Sequence, residues 1–174
     1  MNVLWEYLLG IINSLRFWRV IQPNEAGVRT TRGLMPRALG PGLHMVWPII
    51  GRIEVVEVAE QPLDVRSQSL TTLDGVPAGA GCSLVYVIDD VLKAVIGTRN
   101  VDDSLRCEAL GLMDEYVSGR DFSKCVDTAA FRKWIRTRLR TQAKARWGVD
   151  VLGVYRTDFA RARSFRIMKE GGEV

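Results

Sequence analysis

The first stretch of the chain is apolar at helical spacing, with aromatic residues near both of its ends. Its longest uncharged run covers residues 7–15, which is short of the ~20 apolar residues that a membrane-spanning helix needs. Glu6 precedes the run, and Arg16 and Arg19 follow it. The pattern predicts a helix within residues 1–19 that lies in, or dips into, one leaflet; a buried first helix of a globular domain is the alternative. The membrane-facing side chains are expected to be Leu4, Trp5, Leu8, Leu9, Ile11, Ile12, Leu15 and Trp18.

Alternating and β-branched runs follow and predict a strand-rich lobe over residues 20–88. Residues 20–22 and 28–31 flank a Pro-Asn-Glu-Ala-Gly sequence, which predicts a β-hairpin. Further along, an Asp-Gly pair marks a turn before a long strand at residues 76–88, because Asp-Gly favours the positive φ of tight hairpin turns.

An apolar tip interrupts this region just after Pro41-Gly42, where proline presets φ and glycine permits φ > 0. His44 is expected to make a polar contact that stabilises the loop. A soluble monomer seldom exposes a tip with so few polar residues, so the tip is predicted to lie against a core, a partner or a membrane interface. A loop folded under its own sheet is the alternative. The residues assigned to the membrane are Leu43, Met45, Val46, Trp47, Ile49 and Ile50.

The period of the apolar residues becomes helical after residue 88. Helices are predicted at residues 91–96, from 102 or 103 to about 117, and from 127 or 128 to 147, each behind a capping Asp or Thr. The last helix has the strongest apolar stripe, formed by Phe131, Ile135, Leu139, Ala143 and Trp147. A strand returns at residues 149–159, and residues 161–174 form a tail. The predicted fold class is α+β, with the strand-rich lobe followed by a helix–strand lobe.

A basic stripe lies beside that apolar stripe on the last predicted helix. Its members recur every four residues and are Arg132, Arg136, Arg140 and Lys144. A solvated helix face is the plain explanation, and a contact between copies of the chain is the functional one. The net charge of +4 and the pI near 9.2 suit an acidic membrane surface or nucleic acid. No nucleic-acid reading motif accompanies the stripe, so a nucleic-acid partner is not expected.

Composition argues against catalysis and against bound metal. His44 is the one histidine, and Cys82, Cys107 and Cys125 are too widely spaced for a metal site or a disulfide framework. These cysteines are interpreted as reduced thiols facing the cytosol. Residues 79–81 (Gly-Ala-Gly) lack the remainder of a nucleotide-binding loop and predict a strand that another backbone approaches closely. No catalytic residue, metal or cofactor is therefore predicted.

Four motifs follow one another along the chain. They are V-I-Q-P-N-E-A-G-V at residues 20–28, P-G-L-H at residues 41–44, L-T-T-L-D-G-V-P at residues 70–77 and Y-V-I-D-D at residues 86–90. Their order resembles the SPFH (Band 7) family of stomatins, prohibitins, flotillins and bacterial regulators of a membrane-bound AAA protease. The resemblance covers about residues 20–160. It implies an SPFH-like domain, attachment to a membrane at the N-terminus, assembly into rings or scaffolds, and no catalytic residues.

The chain departs from the family pattern in two respects. It has no long charged coiled-coil helix after the last predicted strand, and no cysteine precedes Cys82, so acylation near the anchor is not expected. The expected function is that of a membrane-associated homo-oligomeric scaffold, in a minimal form, with its domain on the cytoplasmic side. Its expected partners are membrane lipid, other copies and a membrane protein such as a protease. The alternative is a self-assembling particle- or phage-associated protein whose apolar N-terminus and loop form subunit contacts.

Overall fold

The computed structural model describes residues 18–46 and 50–162. The elements within these residues are β1 (Trp18–Ile21), β2 (Glu25–Thr31), β3 (Arg37–Leu39), β4 (Gly42–Met45), β5 (Gly51–Glu57), β6 (Gln61–Thr71), β7 (Pro77–Ile88), α1 (Val91–Gly97), α2 (Val101–Ser118), α3 (Phe122–Cys125), α4 (Thr128–Trp147) and β8 (Val149–Arg161). This mixture of sheets and helices agrees with the predicted α+β class. The expectations for residues 1–17, 47–49 and 163–174 lie outside the described residues.

The chain forms two compact units, each assembled from separated segments. Among the described residues, the first unit comprises those from 18 to 61, residues 86–101 and residues 142–150, and the second comprises residues 62–85, 102–141 and 151–162. Each unit contains both strands and helices. The units therefore do not coincide with the predicted strand-rich lobe followed by a helix–strand lobe, because strands and helices distant in sequence pack together.

The predicted hairpin between β1 and β2 is wrong. Glu25 N donates to Gln22 O at 3.0 Å, so the chain does turn there, but β1 pairs antiparallel with β4 and β2 pairs with β3 and β5. The side chain of Ile21 instead packs on the face of β2. Its Cδ1 lies 2.7 Å from the position that a Cβ on Gly27 would occupy, so the missing side chain of Gly27 lets β1 cross over the face of β2.

The boundary of the predicted N-terminal helix also needs a correction. Trp18 and Arg19 lie in β1, opposite Met45 and His44 of β4, so the helix does not extend to residue 19. The apolar tip likewise begins as a strand, because residues 42–45 form β4. Gly42 has a φ of +137°, and His44 Nε2 lies 2.8 Å from Gly40 O. The predicted polar contact of His44 is therefore confirmed.

Helix α1 belongs to the first unit and packs against β2 and β3. Its N-cap is Asp90, whose side chain accepts a hydrogen bond from Lys93 N at 3.1 Å. An Asp cap was predicted for this helix. Gly148, at a φ of +66°, accepts backbone hydrogen bonds from Asp89 and Asp90. Lys144 Nζ lies 3.1 Å from Asp89 Oδ2, so this lysine of the basic stripe has an intramolecular partner.

The second unit contains the sheet of order β6-β7-β8. The central strand β7 buries Ala78, Ala80 and Leu84 completely. A Cβ on Gly81 would lie 2.5 Å from Ser67 Oγ and 3.0 Å from Thr157 Oγ1. The backbone of β6 is also close, with Ser67 Cα 3.3 Å from the same position. The predicted close approach of another backbone is therefore confirmed at Gly81, whereas Gly79 has only an ordinary contact, with Ala160 O at 3.9 Å.

The helices of the second unit follow the predicted periodicity with two differences. Helix α2 begins at Val101, so Asp102 and Asp103 lie in its first turn instead of capping it, where carboxylates favour the helix dipole. The short helix α3 was not predicted, because its cap comes from a distant residue: Asp74 accepts the N–H of Phe122 at 3.2 Å. At α4, Asp127 Oδ1 accepts the Ala129 and Ala130 N–H groups, and the whole predicted apolar stripe is buried.

Candidate membrane-facing and assembly surfaces

The two-stranded ribbon of β1 and β4 presents an apolar face to solvent. Trp18 lies opposite Met45, and Val20 lies opposite Leu43. Opposed residues share a face, and alternate residues of a strand point the same way, so these side chains line one side of the ribbon. Their exposed fractions are 60% for Trp18, 51% for Met45, 60% for Val20 and 63% for Leu43. Ile21, at 2% exposed, instead packs on the sheet.

More exposed apolar residues lie at the end of the sheet where β5 begins. Arg32 N donates to Ile50 O at 2.9 Å, which joins the β2–β3 turn to the start of β5. In that turn Leu34 is 69% and Met35 is 86% exposed, and Ile50 is 51% exposed. The turn is permitted by Gly33, which has a φ of +80°.

A groove joins the ribbon to the same end of the sheet. It has a volume of about 420 Å³ and is lined by Trp18, Arg19, Val20, Val46, Gly51, Arg52 and Ile53. The N-terminal end of β1, the connection after β4 and the first residues of β5 therefore lie together. We call this region, with the ribbon face and the β2–β3 turn, the apolar end of the first unit.

The predicted membrane residues divide into those the structure describes and those it does not. Trp18, Leu43, Met45 and Ile50 are exposed at the apolar end, and Val46 is half-buried. Leu4, Trp5, Leu8, Leu9, Ile11, Ile12, Leu15, Trp47 and Ile49 lie outside the described residues. Sequence reasoning missed Val20, Leu34 and Met35. The adjacent Leu34 and Met35, next to the turn residue Gly33, could have indicated an exposed apolar turn. The exposure of Val20 could be recognised only from the pairing of β1 with β4.

None of the helices in residues 18–46 and 50–162 is long and apolar enough to cross a membrane.

A second candidate surface is a groove of about 620 Å³ between α4 and β8. Its basic lining comes from Arg132, Lys133, Arg136 and Arg140, and its opposite wall includes Leu152 and Tyr155. β8 forms an edge of its sheet among the described strands. The groove thus has cationic side chains on the helix wall and an edge strand of the sheet on the other.

The structure divides the predicted basic stripe. Arg132 Nε donates to Val154 O at 3.0 Å, and its guanidinium lies 5.0 Å from the centre of the Tyr155 ring. Lys144 is paired with Asp89 and does not line the groove. Arg136 and Arg140 do line it, together with Lys133, which the stripe omitted. Neither Lys133 nor Arg136 contacts a carboxylate within the described residues.

Burial and local hydrogen bonds shift the pKa values of two thiols and one carboxylate of the second unit. Burial raises the pKa of the Cys82 thiol to about 12, with the Asp64 charge adding to the shift, and burial raises the pKa of Cys125 as well. The hydrogen bond from Thr72 lowers the pKa of Asp74, as do the backbone N–H groups around it. Across residues 18–46 and 50–162, no group of three or more His, Cys, Asp or Glu side chains could hold a metal ion.

Comparison with known proteins agrees with this architecture. The family described as "SPFH domain / Band 7 family" matches residues 19–160. An uncharacterized protein of Methanothermobacter thermautotrophicus is 25% identical over 150 residues, which is 84% of this chain and 46% of that protein. Stomatin homologs of Pyrococcus horikoshii and Pyrococcus abyssi are each 30% identical over 82 residues, which is 47% of this chain and 31% of theirs. The chain thus spans less than half the length of these curated relatives. With its family match covering most of the sequence, the chain belongs to the SPFH domain / Band 7 family.

Proposed function

We propose that this protein is a non-catalytic scaffold that attaches to the cytoplasmic face of a membrane and assembles from several copies. The observation that carries the proposal is the exposed apolar face of the β1–β4 ribbon. Fully burying a large apolar side chain contributes about 1.5–3 kcal/mol, so partial insertion of Trp18, Val20, Leu43 and Met45 would add substantially to the hold of an N-terminal membrane helix. The relatives named as stomatin homologs support the same class of function.

The connectivity of the first unit supports this orientation. Residues 1–17, the predicted membrane helix, join the domain at Trp18, and Trp18 lies at the apolar end. The tip at residues 47–49 is joined to the same end through Val46 and Ile50. A helix and a loop that meet the domain at one end can both enter the same leaflet. An exposed free thiol at Cys107 suits the reducing cytoplasmic side.

Assembly is proposed to use the groove between α4 and β8. Arg136 and Lys133 would form ion pairs with acidic residues of a second copy. Asp114 on α2 is one exposed candidate. Exposed ion pairs contribute only about 0.2–1 kcal/mol each, so they would select the neighbour while Leu152 and Tyr155 supply apolar contact. A membrane protein such as a protease would then be organised by the assembled scaffold.

Flotation with liposomes tests the membrane part of the proposal. Two variants are informative: deletion of residues 1–17, which spares β1, and Trp18→Glu with Leu43→Glu in the full chain. Both should lower vesicle binding by roughly tenfold or more, because each removes apolar side chains whose burial contributes about 1.5–3 kcal/mol apiece, and neither should change the melting temperature. The matched control is Leu73→Glu with Val126→Glu, which changes two exposed apolar residues of the second unit and should float like the original chain.

Two outcomes would contradict the membrane assignment. If the Trp18→Glu, Leu43→Glu variant floats as well as the original chain, the ribbon does not meet the bilayer. If the full chain never floats but forms a defined oligomer without lipid or detergent, the apolar end is a contact between subunits. The protein would then be a self-assembling structural protein instead of a membrane scaffold.

A further inference from the structure

Charged residues are sorted by sign along the sheet formed by β3, β2 and β5. The pairing register places Thr31 opposite Gly51 at one end and Glu25 opposite Glu57 at the other. On the Gly51 side lie Arg29, Arg32, Arg37 and Arg52, and on the other side lie Glu25, Glu54 and Glu57. We call residues that lie opposite one another across the strands a row of the sheet. The change of sign falls between two adjacent rows, since Arg29 lies opposite Ile53 and the next residue, Val28, lies opposite Glu54.

Two of these arginines face each other directly. Arg29 of β2 is the register partner of Arg37 of β3, and both side chains are exposed. The Cβ atoms of directly opposed residues lie about 4.5–5.5 Å apart, and like charges in such a pair are destabilising. Within the described residues no carboxylate contacts either guanidinium. An anion between the two would remove the repulsion, and guanidinium groups bind phosphate oxygens in a bidentate manner.

The arginine rows lie at the apolar end of the first unit. Arg52 lines the groove with Trp18 and Val46, and Arg32 is hydrogen-bonded through its backbone to Ile50. Arg29 is two residues from Thr31, the end of β2, which is a distance of about 7 Å along a strand. Arg19, beside Trp18 on the ribbon, adds another exposed cation.

We propose that this end of the sheet binds the phosphate groups of anionic lipids, with Arg29 and Arg37 sharing one headgroup. The inference rests on the proposed membrane attachment and specifies its lipid class. A negative membrane surface attracts the arginine rows and repels the glutamate rows, so the charge pattern orients the domain with Trp18 and Leu43 toward the bilayer. The apolar residues then supply insertion, and the arginines supply lipid selectivity and orientation.

The test compares vesicles of phosphatidylcholine with vesicles that also contain phosphatidylglycerol, using the full chain. Each basic residue near an anionic surface strengthens binding by about fivefold. Arg29→Gln with Arg37→Gln should therefore weaken binding to the anionic vesicles by about 25-fold and leave binding to the neutral vesicles unchanged. Raising the salt concentration should weaken the binding of the original chain to the anionic vesicles and leave its binding to the neutral vesicles unchanged.

The matched control is Arg66→Gln with Arg161→Gln, which removes two exposed arginines of the second unit and should bind like the original chain. Equal binding of the original chain to both vesicle types overturns the lipid inference while leaving membrane attachment intact. Binding to neither type overturns both. Inorganic phosphate that releases the protein more effectively than chloride at equal ionic strength would show a site for soluble phosphate and overturn the assignment to a lipid surface.

Discussion

Ile21 occupies the space that a side chain on Gly27 would fill. The Cδ1 atom of Ile21 lies 2.7 Å from the position of a Gly27 Cβ, and Cγ2 of Ile53 lies 3.2 Å from it. Ile21 is almost completely buried in this position. Ile21 thus packs the β1–β4 ribbon against β2 and β5, while Trp18 and Leu43 on the other face of the ribbon remain exposed.

Gly27→Ala should therefore destabilise the protein by about 1 kcal/mol, the low end of the cost of overpacking, because the end of the buried Ile21 side chain must turn away from the added methyl group. Equilibrium urea denaturation measures the loss. Adding Ile21→Val to the Gly27→Ala variant removes the clashing Cδ1 atom and should restore part of the lost free energy of unfolding. The control is Gly40→Ala, whose Cβ would meet nothing within 4 Å, with an expected change within about 0.5 kcal/mol. Equal effects of the two alanine variants would contradict the packing argument.

Asp74 should make the second unit sensitive to acid. Its carboxylate accepts hydrogen bonds from Thr72 Oγ1 and from the Phe122 N–H at the start of α3, and these bonds lower its pKa below the usual 3.8. A carboxyl group whose pKa is lower in the folded state stabilises the fold above its unfolded pKa, and that contribution is lost as the pH falls through the folded pKa.

The melting temperature of Asp74→Asn should be lower than that of the original chain at neutral pH, because an amide oxygen is a weaker acceptor than a carboxylate. The difference should shrink as the pH falls below 3.8 towards the lowered pKa of Asp74, because the carboxylate is protonated in the unfolded chain first and in the native protein at lower pH. Calorimetry across this range measures both curves. A constant difference at every pH would show that the carboxylate charge has no part in holding α3.

The three cysteines should differ sharply in reactivity. Cys107 is exposed, whereas Cys82 and Cys125 are buried, and burial raises the pKa of both buried thiols. The thiolate is the reactive form, so a thiol reagent at mildly alkaline pH should label Cys107 quickly and the other two only after denaturation. Cys107→Ser should remove the fast phase. Rapid labelling of Cys82 in the native protein would contradict its position in β7.

The basic groove should contribute to assembly. Arg136→Glu with Arg140→Glu places acidic groups in the groove and should weaken the oligomer in sedimentation measurements at micromolar concentration. Lys144→Glu serves as a contrast, because it faces Asp89 within the first unit and should lower the melting temperature without changing the oligomer. An unchanged oligomer in the double variant would remove the groove from the proposed assembly, and a monomer of the original chain would contradict the scaffold itself.

The sequence alone determined the elements whose causes are local. The buried stripe of α4 was predicted, and the cap of each of the helices α1 and α4 was narrowed to two adjacent residues, of which Asp90 and Asp127 make the capping hydrogen bonds. Capping and helical period act over a few residues, so the sequence can show them. The Asp-Gly turn before β7 was predicted for the same reason, and Gly75 has the expected positive φ of 76°. The family motifs were also readable, since they are short and contiguous.

Only the tertiary structure decided which distant segments meet. β1 pairs with β4 while Ile21 packs against the bare backbone of Gly27, and the first N–H of α3 is bound by a carboxylate 48 residues earlier in the chain. The opposition of Arg29 and Arg37 depends on strand register, because a shift of one residue would place the two side chains on opposite faces. Long-range pairing is set by the shape of packed surfaces instead of by neighbouring residues, and so the candidate lipid site became visible only in the folded chain.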